Sequence, residues 1–159
     1  MSDSLPYAKA VAIGIIAGMR SMSAPALISD HLAHNGLQSL SGNPLMILAS
    51  PRSASLLKIL ALGEMVADKL PIVPSRVSPG PLMARVVSGA ITGAAVCGEA
   101  NKRTEVGAIL GGIGAIAGAY GFYHLRRRIG EKTGVQDPVL GLAEDVIVVG
   151  GGKMLLRQS

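Results

Sequence analysis

A single arginine, Arg20, lies about midway along the apolar run of residues 8–33. A charge at that depth in a bilayer costs roughly 2.5–3.5 kcal/mol on insertion scales, so its side chain must face protein or water. The residues that follow can start a new helix, because Ser23 is a good N-cap and Pro25 fits a first helical turn. We predict a broken first span, in which free backbone N–H groups lie close to a guanidinium. That combination of Arg20, Ser21 and Ser23 suits an anion or a carboxylate.

The candidate partners of this arginine are four carboxylates, and a second arginine, Arg85, lies in another apolar stretch. Glu64 and Asp68 stand four residues apart and share one face of a helix. Asp68 is expected at the membrane interface as a headgroup anchor, whereas Glu64 is deeper. Glu144 and Asp145 are adjacent, so one of the two is expected to face inward. We predict that the arginine at the break reaches at least one of the three deeper carboxylates, directly or through water.

Two interpretations of these charges remain open: a structural clamp between helices, or a site for a ligand or a proton. No grouping of Ser, His and Asp reads as a catalytic triad, and His31 and His34 share a helical face without a third ligand. Residues 112–117 fit a dinucleotide-binding pattern, but the residues before them are helical in character. We therefore predict no catalytic residues, no metal and no cofactor, and a protein that is not an enzyme.

The composition is unusual for a soluble domain. Hydrophobic residues make up 49% of the 159 residues and charged residues only 16%, against roughly 25% in ordinary globular proteins. The mean hydropathy is +0.45. These values predict a single integral-membrane domain over residues 1–159, although the lack of Trp removes the usual interfacial marker. The net charge of +5 is better matched to anionic lipid headgroups than to nucleic acid, which needs more basic residues on a polar face.

The apolar runs predict the fold class: all-α, a polytopic transmembrane bundle of about five spans with the first one broken. A soluble all-α bundle is the alternative. The clearest span has 19 residues without a formal charge, close to the roughly 20 that cross the hydrocarbon. Residues 35–51 read as a loop with a short membrane-dipping piece at 44–49. The predicted spans are residues 8–33, 53–70, 79–99, 106–124 and 138–156.

Two parts of the chain resemble each other. The heptapeptide at 14–20 matches that at 114–120 at four of seven positions, and Leu62-Gly63-Glu64 pairs with Leu142-Ala143-Glu144 in the same order. Corresponding helices offset by three spans would form an inverted repeat, a common transporter design, with halves at 7–70 and 106–156. Chance similarity between Gly/Ala-rich helices explains the match equally well.

Pairs of small residues four apart recur along the predicted helices and let backbones approach closely. Their expected role is packing within the bundle, and some faces are left for a second copy in a homo-oligomer. The pairs are Gly14/Gly18, Gly89/Gly93, Gly107/Gly111 and Gly114/Gly118.

Several segments together resemble a family of small bacterial membrane proteins, the domain-of-unknown-function 4126 family, over most of the chain. The most specific is 64–71, which reads E-x-x-A-D-K-x-P, followed by Arg85 and a Ser-Gly-Ala helix. Others are 18–21 and Glu144-Asp145. The resemblance implies an integral membrane location, and it supplies no activity and no site residues.

These observations predict a multi-pass protein of the inner membrane, surrounded by lipid. The leading functional hypothesis is a small transporter or channel-like protein for a small ion or anionic solute, with Arg20 and Glu64 near its centre. The alternative is a non-catalytic scaffold or accessory subunit whose buried charges fasten helices together. The arginine triplet at 126–128, beside the clearest span, favours a cytoplasmic N-terminus.

Overall fold

The computed structural model describes residues 4–35, 44–67, 78–133 and 137–157. Within these residues the chain is helical and contains no β-strand, which confirms the predicted all-α class. The helices in chain order are α1 (Leu5–Met19), α2 (Ser23–Asn35), a short 3-10 helix (Pro44–Ala49), α3 (Pro51–Ala67), α4 (Pro79–Glu99), α5 (Thr104–Thr133) and α6 (Asp137–Arg157).

Prolines mark several of the helix starts. Pro6, Pro25, Pro51 and Pro79 all lie in the first turn of their helices, where the missing N–H costs no hydrogen bond. The predicted bounds of α4 agree with the structure. Helix α5 continues nine residues beyond the predicted end of its span at 124, because a charged segment ends the apolar run without ending the helix, and Arg and Lys are good helix formers.

Glycines bring α1, α4 and α5 into backbone contact. A Cβ atom added to Gly93 would lie 2.9 Å from the Cα atom of Gly111, and one added to Gly14 would lie equally close to that atom. All four predicted small-residue pairs lie in these interhelical contacts. Their predicted role in packing within the bundle is therefore confirmed, and these faces are already covered by the chain itself.

Helix α1 runs antiparallel to α4 and ends halfway along it. The Cys97 thiol, near the end of α4, lies 3.8 Å from the carbonyl oxygen of Pro6 at the start of α1. At the other end of α1, the hydroxyl of Ser88 donates to the carbonyl oxygen of Ser21. Ser88 is the tenth of the 21 residues of α4, so α1 stops near the middle of a helix that is about 31 Å long.

Helix α2 then reverses direction instead of continuing the span. The imidazole Nε2 of His31 lies 2.8 Å from a carboxylate oxygen of Glu99, at the end of α4 where α1 began. Residues 5–35 therefore form a helical hairpin with its tip at Arg20–Met22. The predicted break after Arg20 is confirmed, but the prediction that 8–33 forms one span is wrong. The extended backbone at Arg20 and the contacts of the two arms with α4 turn the chain back.

The direction of α1 also bears on the predicted inverted repeat. Gly14 contacts Gly111 and Gly18 contacts Ala115, so α1 and α5 run in the same direction. An inverted repeat requires corresponding helices to run in opposite directions. The inverted relation is therefore wrong for this pair, and the match between 14–20 and 114–120 reflects a shared need for small residues at one interface. The complete halves 7–70 and 106–156 extend beyond the described residues.

Helix α3 lies at the periphery. It packs chiefly on α2 and the 3-10 helix, and only Ala54 and Ala61 among its residues are buried. It runs antiparallel to α2, since Lys58 pairs with Asp30 toward the end of α2 and the later residues of α3 reach the hairpin tip. Little apolar surface therefore fixes α3 to the rest of the molecule.

The exterior of the bundle is apolar. Ile109, Ile113 and Ile116 form an outward stripe on α5 with exposed fractions of 62%, 56% and 43%, and α6 exposes Val146 and Ile147. By length and composition, two described helices could cross a membrane: α4 and the Thr104–Glu131 part of α5. Helix α1 is apolar but shorter. The predicted count of five spans is therefore not confirmed.

Candidate functional site

The hairpin tip presents three hydrogen-bond donors to one carboxylate. The backbone N–H of Ser21 and its hydroxyl donate to Oε1 of Glu64, at 2.8 and 2.7 Å, and the backbone N–H of Met22 donates to Oε2 at 2.7 Å. These donors precede the first turn of α2, where the helix dipole favours negative charge. The sequence predicted an anion or a carboxylate at these donors, and in the structure the carboxylate of Glu64 on α3 occupies them. We call these three donors the tip seat.

Ser21 makes hydrogen bonds to two helices, whereas Ser23 does not cap α2 as predicted. The Ser21 carbonyl accepts a hydrogen bond from the hydroxyl of Ser88, which fixes the tip against α4. Ser23 is 3% exposed, and its hydroxyl has no hydrogen-bond partner among the described residues. The predicted capping role of Ser23 is therefore wrong. Glu64 instead accepts from the two N–H groups that precede the helix, because a carboxylate with two oxygens can satisfy both at once.

A second group of charges includes the first residue of the tip, Arg20. The Arg20 guanidinium is fully buried, and its Nη2 lies 2.7 Å from Oδ1 of Asp145 on α6. Oε2 of the neighbouring Glu144 lies 3.6 Å from Nη1 of Arg126 on α5. We call Arg20, Arg126, Glu144 and Asp145 the charge cluster. The predicted pairing of Arg20 with a deep carboxylate is confirmed, and the partner is Asp145.

Gly141 is a buried glycine of α6, and because it has no side chain both guanidinium groups can lie close to this helix. A Cβ atom on Gly141 would lie 3.4 Å from Nη2 of Arg126 and 4.0 Å from Nη2 of Arg20. Two cations meet at this glycine, and the two carboxylates one turn later balance them. The cluster is formally neutral, which lowers the cost of burying it in a low-dielectric interior.

The two charged groups differ in exposure. Arg20 and Glu144 are buried, whereas Ser21, Met22 and Glu64 are half-buried. Within the described residues the Glu64 carboxylate meets the donors of the tip seat and no cationic side chain. The two groups therefore differ through Arg20 and Glu144, since Arg126 and Asp145 of the cluster are half-buried like the tip seat.

The remaining predicted residues are placed as follows. Arg85 is 4% exposed and lies one helical turn before Ser88, which puts it on the face of α4 that meets the hairpin tip. Asp68 lies outside the described residues. The structure thus brings Glu64 to Ser21, and Arg20 to Asp145, at one hairpin tip.

Sequence reasoning missed Arg126, Ser88 and the buried Lys9. From the sequence, Arg126 is interpreted only as part of the arginine triplet on the cytoplasmic side. Helical spacing places it seven residues after Ala119, whose side chain is buried, so the periodicity of α5 could have shown that it faces inward. Ser88 likewise lies one turn from Arg85 on a buried face.

The family described as Domain of unknown function (DUF4126) matches residues 8–156, nearly the whole chain. The chain belongs to this family. No curated protein and no solved structure matches the chain. The DUF4126 match covers both the tip seat and the charge cluster, and it confirms the resemblance drawn from the segments around Arg20, Glu64, Arg85 and Glu144.

Proposed function

We propose that this DUF4126 chain is a multi-pass protein of the inner membrane that acts as a small transporter or channel-like protein, with the tip seat at the centre of its pathway. The observation that carries the proposal is the hairpin. Its tip stops halfway along α4, so the seat and the charge cluster would lie near the bilayer midplane if α4 crosses the membrane. Discontinuous helices that end at midplane are a recurrent way to build solute sites.

The distribution of polar and apolar side chains supports the membrane location. Large apolar residues cover the outside of α3, α4, α5 and α6, whereas Lys9, Arg20, Arg85 and Glu144 are buried inside. A soluble protein would normally show the reverse, and an exposed apolar surface of this extent in water would aggregate.

The peripheral position of α3 supports the proposal that this helix moves relative to the rest of the bundle. Among the described residues, Glu64 is the side chain through which α3 hydrogen-bonds to the tip seat, and α3 buries little apolar surface of its own. A small displacement of α3 would take the carboxylate out of the seat while α1, α4 and α5 stay locked by their glycine contacts.

The second candidate is a membrane scaffold or accessory subunit, neither catalytic nor transporting. The Arg20–Asp145 pair favours it, since side chains that are 1% and 13% exposed form a closed ion pair that ties α6 to the hairpin. In that case the tip seat would be a helix cap and nothing more.

Thiol accessibility distinguishes the two functions. In a Cys97→Ala background, Met22→Cys keeps every donor of the tip seat, because Met22 contributes only its N–H. We expect a membrane-impermeant thiol reagent to label Met22→Cys in proteoliposomes, since a pathway admits water to the seat.

The controls are Lys102→Cys, between α4 and α5, which must react, and Ile113→Cys on the exposed apolar stripe, which must not. All three thiols must react after denaturation in SDS. If native Met22→Cys is as unreactive as Ile113→Cys, the scaffold is the better account.

A further inference from the structure

We propose that the tip seat is an exchangeable site for a small monovalent anion, and that the Glu64 carboxylate is a tethered occupant which such an anion replaces. This rests on the proposed function and names its substrate class. The donors of Ser21 and Met22 are arranged for negative charge: two adjacent backbone N–H groups and one hydroxyl, 2.7–2.8 Å from carboxylate oxygens.

A second observation points to a ligand that accepts one hydrogen bond more than the Glu64 carboxylate does. The Ser23 hydroxyl is buried without a hydrogen-bond partner among the described residues. Side chains in an α-helix tilt toward the N-terminus, so the side chain of Ser23, the first residue of α2, leans toward the end of the helix at which the seat lies. A buried hydroxyl normally finds a partner. An anion that sits deeper than the Glu64 carboxylate would give it one.

The charge balance around the seat allows the exchange. The seat's donors and the α2 dipole stabilise the charge of the Glu64 carboxylate, which contacts no cationic side chain among the described residues. A free anion of the same charge receives the same compensation. Arg20 keeps its own partner, Asp145, throughout.

The test uses sodium formate as the probe and the full chain purified in detergent at constant ionic strength. Removing the tethered carboxylate in Glu64→Ala leaves the seat empty. We expect formate to raise the thermal midpoint of this variant saturably, by about 5–10 °C well above half-saturation. The matched control is Glu131→Ala, which removes an exposed carboxylate that pairs with Arg127. It should show no such rise.

A second pair of variants keeps the proposal testable if Glu64→Ala does not fold. Glu64→Gln preserves the shape of the side chain but faces the donors with an amide, so the formate-dependent rise should also appear there. Adding Ser23→Ala to either variant should raise the formate concentration at half-saturation by about tenfold or more, because a hydrogen bond to a charged group is lost. Equal rises in Glu131→Ala, or no rise in either Glu64 variant, would overturn the anion site.

Measurements of ion flux distinguish the anion site from the proposed transport function. Proteoliposomes of the wild type and of Glu64→Gln are given a formate gradient, with K⁺ as the alternative ion. Formate flux that is larger in Glu64→Gln supports both proposals. Formate binding without any flux supports the seat and refutes transport. Flux of K⁺ in place of formate supports a pathway and refutes an anion as its substrate.

Discussion

Replacing Arg20 with methionine is expected to destabilise the folded bundle by about 3–5 kcal/mol, because it strands the Asp145 carboxylate in a closed interior. The guanidinium and the carboxylate are 1% and 13% exposed, so water can replace little of the lost contact. The measurement is the free energy of unfolding in mixed micelles, with the folded fraction followed by circular dichroism.

The double variant Arg20→Met/Asp145→Leu should recover most of this loss, since removing a buried pair together is far less costly than breaking it. The control is Arg127→Met. Arg127 lies one residue after Arg126 in the same helix, but its pair with Glu131 is exposed, so the effect should be small. Wild-type stability in Arg20→Met would show that the Arg20–Asp145 pair does not hold α6 to the hairpin.

The second large effect is expected at Gly111, where α5 meets α4. A methyl group there would lie against the carbonyl oxygen of Gly89, 2.9 Å from its carbonyl carbon and 3.0 Å from the Cα atom of Gly93. All of these are backbone atoms, so the helices themselves must separate. We expect Gly111→Ala to cost about 3 kcal/mol, at the upper end of overpacking effects, and to lower the thermal midpoint in detergent accordingly.

The neighbouring residue supplies the control. A Cβ atom on Gly112 would meet its nearest neighbour, Val86 Cγ1, at 3.7 Å, an ordinary contact. Gly112→Ala should therefore be neutral, or stabilising by up to about 1 kcal/mol through helix propensity. Similar midpoints for the Gly111 and Gly112 variants would contradict the close packing of α4 against α5.

Local features of the fold could be predicted from the sequence. The start of α4 at Pro79, the break after Arg20 and the glycine pairs of α5 depend on proline, charge and small residues, which act within one or two turns. The expected depth in the membrane also limited the partner of Arg20 to three carboxylates. Which of the three it meets depends on how α6 packs, and that information is spread over the whole bundle.

The reversal of α2 could not be predicted, because hydrophobic periodicity describes a face of a helix and not the direction in which the next helix runs. The turn is decided by long-range contacts of the hairpin with α4, at Ser88 and Glu99. The same limit explains the tip seat. The free N–H groups near Ser21 were foreseeable, but their occupant, Glu64, is 43 residues away and arrives on a different helix.

The hairpin of residues 5–35 is tested most directly by asking whether its two ends lie on the same side of the membrane. Ser4 precedes α1 and the exposed His34 lies near the end of α2. In the Cys97→Ala background, Ser4→Cys and His34→Cys are labelled with an impermeant maleimide in right-side-out and in inverted membrane vesicles. A hairpin predicts that both thiols react in the same vesicle preparation. Labelling of the two thiols in opposite preparations would show that residues 8–33 cross the membrane once, and it would contradict the hairpin and the site built on its tip.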